Sequence, residues 1–136
     1  MTVTNIYQAA QSLKDDWAPR VVARVNECYV KVAKLSGQLA WHAHHDEDEL
    51  FLVIRGRLTI EYEAEKSVSL NPGDVHVVSR GTLHNPVAED DCLILLIEPV
   101  STKHTGDVQT NHTRTIQEQL AGASTPDEGA VSPIES

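Results

Sequence analysis

The chemistry of this chain gathers in one stretch, WHAHHDEDELFLVIRG, residues 41–56. His42 and His44 are two apart, and on a strand such side chains project to one face, about 6.6 Å apart at roughly 3.3 Å rise per residue. Imidazoles at that spacing can converge on one ion at nitrogen–metal distances of about 2.0–2.1 Å. Glu49 follows a short turn, HDED, and opens the next apolar run. In an antiparallel hairpin it comes alongside both histidines, a two-histidine, one-carboxylate face that leaves positions open for water or substrate. A second stretch, NPGDVHVVSRGTLHNP, residues 71–86, carries His84 after a turn, a strand and a glycine turn, so a fourth donor returns to the same place. Three histidines and a glutamate suit one divalent transition ion (Fe, Mn, Ni, Co or Zn) better than Mg or Ca.

Taken singly, each of these residues fits a solvated acidic loop as well as a metal site. The flanking hydrophobes decide otherwise: Trp41 before the run and LFLVI after it place the donors on core strands. Glu47 rivals Glu49 as the carboxylate, and His45 alternates to the opposite side as a turn residue. His76 sits among apolar strand neighbours and reads as structural, while His104 and His112 read as solvated. Tyr62, projected inward on its strand, is either a substrate hydrogen-bond donor or proton shuttle, or a rim tyrosine. Lys31 shares a strand face with Tyr29 and is either a substrate-anion contact or a lysine reaching outward along its stem.

The elements that must position these groups are short. Residues 6–14 have loose helical spacing, and Pro19 ends that arm. Strands are expected at 20–25, 28–35, 38–43, 49–54, 57–63, 67–70, 74–78 and 92–98, separated by Ser36-Gly37, Arg55-Gly56, Asn71-Pro72-Gly73 and Arg80-Gly81. Alternation puts Phe51, Val53, Leu58, Ile60 and Tyr62 on the inner face. Many short strands at even spacing imply an all-β barrel or sandwich. Residues 101–121 read as a polar surface segment with one or two helical turns at 115–120, and 122–136 have the composition of a disordered tail.

Both donor stretches resemble the motifs of the cupin superfamily. The first motif, G-x5-H-x-H-x3/4-E-x6-G, is met by His42, His44, Glu49 and Gly56, with Gly37 one residue closer than usual. The second, G-x5-P-x-G-x2-H-x3-N, is met by Gly73, Gly81 and His84, with Ser79 and Ala88 in place of Pro and Asn. The resemblance implies a cupin-type jelly-roll barrel over residues 20–100, with a short helical arm at 1–19. It also implies a metal held by His42, His44, Glu49 and His84, and a homodimer paired through strand edges. Within the superfamily, the chain is similar to small one-domain proteins grouped with mannose-6-phosphate isomerase.

Composition narrows the rest. The 136 residues allow one domain, and a formal charge of -9 repels phosphate backbones, which argues against nucleic-acid binding. No apolar run approaches the roughly 18 residues of a membrane span, and the N-terminal residues lack a secretory pattern, so the expected compartment is the cytoplasm. Cys28 and Cys92 are then expected as small apolar fillers without a disulfide. Two functions follow: a metal-dependent enzyme acting on a small polar molecule (dioxygenase, isomerase or lyase), or a non-catalytic barrel that binds a small effector.

Overall fold

A computed structural model of the chain describes residues 1–106 and 108–121. The tail expected at 122–136 lies outside the described residues. A short helix α1 (Ile6–Gln11) precedes seven strands, β1 (Arg20–Val25), β2 (Cys28–Gln38), β3 (Glu49–Arg55), β4 (Leu58–Tyr62), β5 (Lys66–Leu70), β6 (Val75–Val78) and β7 (His84–Pro99), and a second helix α2 (Ile116–Ala121) follows. The strands form an antiparallel barrel in the order β1-β2-β7-β3-β6, with β4 pairing β5 and β7.

Strand β7 is the spine. One edge pairs with β2 from Gln38↔Val87 to Cys28↔Pro99. Its other edge is divided, with β4 on residues 84–88 and β3 on residues 93–97. A bulge near Asp91, which sits at φ 64, separates the two halves. Such a bulge bends the strand and adds twist. The halves of β7 can therefore curve around one interior.

Alternation sorts side chains into two layers. Inward from β2, β3, β4 and β7 come Ala33, Leu35, Phe51, Val53, Leu58, Ile60, Ile94 and Leu96, all buried in the main core. Outward from β2 and β7 come Val32 and Leu93, which Ala10 and Leu13 of the N-terminal arm cover. Helix α1 is shorter than the spacing predicts: Asn5 caps its start by accepting the Gln8 N–H at 2.9 Å, and its last residue is Gln11. Trp17 closes one end of the core, its indole N–H donating to the Ser36 carbonyl at 2.7 Å. Gly56 makes the β3–β4 turn at φ +86, and a Cβ there would lie 2.9 Å from the Cys92 Cα, so only glycine fits. Cys92 is buried, Cys28 is half-buried, and both are free thiols.

Two strand expectations need correction. Residues 38–43 do not form a strand; β2 ends at Gln38, and His42 is held by an isolated bridge to His84. Strand β7 begins at His84, eight residues before the start expected at Cys92. The segment after β7 is also less solvated than its composition suggests, because Thr102, Thr105 and Gln119 are buried. Helix α2 starts with a reciprocal cap: Thr115 Oγ1 accepts the Glu118 N–H at 3.1 Å, and Glu118 Oε1 accepts the Thr115 N–H at 2.8 Å. Its Ile116 and Leu120 then pack on Val21 and Tyr29.

Candidate metal centre

Four side chains converge at one end of the barrel. His42 and His84 are locked as a backbone pair, each N–H donating to the other's carbonyl at 2.9 Å. The Gly81 N–H donates to the His44 carbonyl at 2.6 Å, so the 79–84 turn also holds the second histidine. Glu49 is the first residue of β3 and points inward with Phe51 and Val53. One ligand atom from each of His42, His44, Glu49 and His84 lies within 4.8 Å of the others, and all four side chains are buried.

The hydrogen bonds around this cluster fix which atoms are available. Nδ1 of His42 donates to the Ala40 carbonyl and Nδ1 of His84 to the Thr82 carbonyl, both at 2.8 Å. With the proton held on Nδ1, the Nε2 lone pair of each neutral ring is free for an ion. His44 Nε2 and His84 Nε2 stand 3.6 and 3.5 Å from Glu49 Oε1, beyond direct hydrogen bonding. Both nitrogens and Glu49 Oε1 are buried without a hydrogen-bond partner among the described residues. Leaving such groups bare costs about 1–3 kcal/mol each. A shared divalent cation satisfies all of them at once, so the residues present fit a metal.

The electrostatics agree. Burial pushes His42 down to about 4, which keeps it neutral. For His44, burial opposes protonation, but the adjoining Glu49 outweighs it and raises the pKa. Burial alone would raise Glu49, yet His44 and His84 hold it well below the usual carboxylate range. The site thus presents an anion and basic nitrogens to whatever cation enters.

A second buried layer lies behind the cluster, and residue spacing does not mark it as a unit. Lys31 Nζ donates to Glu98 Oε2 at 3.1 Å and to Gln119 Oε1 at 2.5 Å, with all three side chains buried. Glu98 also adjoins Glu49; burial and that neighbouring charge push it up to about 8, against the pull of Lys31. The alternation Cys92, Ile94, Leu96 would have placed Glu98 on the inner face, but nothing in the sequence joined it to Gln119.

Other expectations resolve as follows. The outward-reaching option for Lys31 is overturned, because its ammonium lies inside this network. Tyr62 is half-buried, opposite His84 in the β4–β7 register, and its hydroxyl meets His76 Nε2 at 2.6 Å. His45 is exposed, and Glu47 accepts from Ser101 Oγ at 2.9 Å outside the donor set. The solvated readings of His104 and His112 need correction: both are half-buried, and His112 packs its ring 6.4 Å from that of Trp17. His104 helps line a cavity beside the cluster, together with His42, Glu49 and apolar groups including Trp17, Leu35, Phe51 and Ile94.

Comparison with known proteins places this geometry in a family. Residues 29–98, which hold all four donors, match the model of the cupin domain. The uncharacterized protein YdbB of Bacillus subtilis (strain 168) is 32% identical over 80 residues, covering 59% of this chain and 71% of that protein. A cupin-2 domain containing protein from Shewanella frigidimarina NCIMB 400 superposes with a TM-score of 0.68 at 35% identity, over 71% of this chain and 94% of that one. Protein NMB1881 from Neisseria meningitidis does so with a TM-score of 0.65 at 26% identity, over 72% and 99% of the two chains. Motif, barrel and match agree, and the chain belongs to the cupin family.

Proposed function

We propose that this protein is a metal-dependent enzyme acting on a small molecule, with His42, His44, Glu49 and His84 as ligands of one Fe, Mn, Ni or Zn ion. The observation that carries the reading is the set of buried, unpartnered donor atoms aimed at a common point. Bound there, the ion would supply Lewis acidity, or dioxygen chemistry if it is iron. Around it, this chain holds Glu49 ionised, presents His42 and His84 in a fixed tautomer and walls the adjoining cavity with apolar side chains. Lys31 acts in this reading as a positioning residue through Glu98, and Tyr62 is the remaining hydroxyl for proton handling at the rim. Pairing of two chains along β6 fits the same reading. That strand pairs only with β3 among the described residues and exposes Val75 and Val77. A sedimentation mass of one chain would remove the dimer.

The test is reconstitution of metal-free protein with each of the four ions, followed by a screen of small oxygenated compounds for turnover by NMR and oxygen uptake. Turnover with one ion, lost in a folded His84→Ala variant, supports the enzyme. Tight binding of a compound without turnover under any ion favours the effector-binding alternative. The small cavity, about 30 Å³ for the centres of water-sized molecules, is the feature that keeps this second reading in play.

A further inference from the structure

The segment after β7 returns across the donor loop. Gly106 sits so close to Ala43, between two of the four donors, that a Cβ on it would lie 2.2 Å from the Ala43 carbonyl oxygen. Ser101 Oγ donates to Glu47 in the acidic turn, and Gln119 is anchored to Lys31. Within the segment, Thr105 Oγ1 bonds the Val108 carbonyl and meets Thr113 Oγ1 at 2.7 Å. A polar stretch of chain is thereby fixed at several points over the site, and it brings one side chain to the cavity: His104.

The state of that ring is determined locally. Nδ1 of His104 accepts the Arg114 backbone N–H at 2.9 Å. An accepting Nδ1 carries no proton, so the neutral ring bears its hydrogen on Nε2. Nε2 makes no hydrogen bond among the described residues. Burial, with Lys31 adding to it, pushes His104 down to about 3, so the ring stays neutral. The other polar groups of the cavity are otherwise engaged: His42 and Glu49 belong to the donor set, and the Trp17 N–H is bonded to Ser36. The open space is small, about 30 Å³ for the centres of water-sized molecules, and its remaining walls are apolar.

We propose that His104 is a substrate-binding residue that donates its Nε2–H to an oxygen of the ligand, and that the ligand is a short carboxylate with an apolar body. This rests on the metal reading above. Carboxylate oxygens meet the ion and the imidazole N–H, while a body of one or two carbons meets the apolar wall. Among the described residues the cavity lining holds no Lys or Arg to meet a second negative charge, and its small volume disfavours a longer body.

Acetate is the probe, with cobalt(II)-loaded protein whose visible absorption reports changes at the ion. His104→Asn keeps an acceptor near the Arg114 N–H but loses the Nε2 donor; His104→Gln places an amide donor where Nε2 stood. One hydrogen bond corresponds to a roughly tenfold effect. The expected result is acetate affinity about tenfold weaker in His104→Asn and near wild type in His104→Gln, with cobalt content equal in all three. Equal affinities in all three would overturn the proposal while leaving the metal reading intact. Failure of wild type to take up cobalt would overturn the metal reading and the proposal with it. A measurement on wild type needs no variant: in zinc-loaded protein the His104 ring signals should show the Nε2–H form and shift when acetate is added. Signals unmoved by saturating acetate would also overturn the proposal.

Discussion

Replacing Gly106 by alanine tests whether the segment after β7 is seated on the donor loop. Two costs can be separated. Gly106 has φ +59, and an L-residue in that region costs roughly 1–2 kcal/mol. The new Cβ would lie 2.2 Å from the Ala43 oxygen, whereas ordinary contact starts at 3.4 Å. Relieving the overlap by backbone shifts adds about 1–3 kcal/mol. Together the loss is about 2–5 kcal/mol. At about 4 °C per kcal/mol for a chain of this size, melting drops by about 8–20 °C. Gly37→Ala is the control, since Gly37 has φ +73 and nothing within 4 Å of its added Cβ. It carries only the first cost, about 4–8 °C. Because Ala43 lies between His42 and His44, zinc affinity measured by competition with a chelator should fall in Gly106→Ala and hold in Gly37→Ala. Equal melting losses and equal zinc affinities in the two variants would refute the docking.

The buried layer behind the cluster makes further predictions. In metal-free protein the Glu98 carboxyl stands near 8 when folded, against 4.5 as its ordinary value. The folded state then binds the extra proton between those values, so Glu98 makes stability fall as pH rises through that window and level off above it. Glu98→Gln cannot titrate, and its melting profile should lack this fall; parallel profiles would contradict the assignment. Lys31→Met strips the donor from Glu98 and Gln119 and should cost about 1–3 kcal/mol in urea unfolding at neutral pH, the cost of buried groups left unpaired. It should stay below the roughly 3–5 kcal/mol of a stranded buried charge, because Glu98 can keep its proton. A larger loss would mean that Glu98 is ionised in the native state. Tyr62→Phe breaks only the half-buried bond to His76, so zinc content should be unchanged, and a loss of metal would tie Tyr62 to the donor set.

What the sequence revealed follows from how local each signal was. The inner face of β3 and β4 was legible because Phe51, Val53, Leu58 and Ile60 alternate strictly, and all four are buried. The donor set was legible because its members fall in two short stretches with fixed spacing. The expected strand at 38–43 was absent because the chain leaves β2 after Gln38, and the bridge to His84 alone aligns His42. The first half of β7 carries Pro86 and the run Glu89-Asp90-Asp91, residue types depleted in strands, and so shows no strand signal; the acids lie at the bulge, on the exposed side. His104, Gln119 and Gly106 carry no periodic signal at all. Their roles come from a tertiary return of the chain, which residue spacing does not encode.

The central claim is the metal site, and elemental analysis tests it most directly. Protein purified without chelators or a histidine tag should be measured beside His84→Ala, with folding of both checked by circular dichroism. Close to one Fe, Mn, Ni or Zn per wild-type chain is expected, and its loss in the variant. Metal absent from folded wild type, even after each ion is added back, would contradict it.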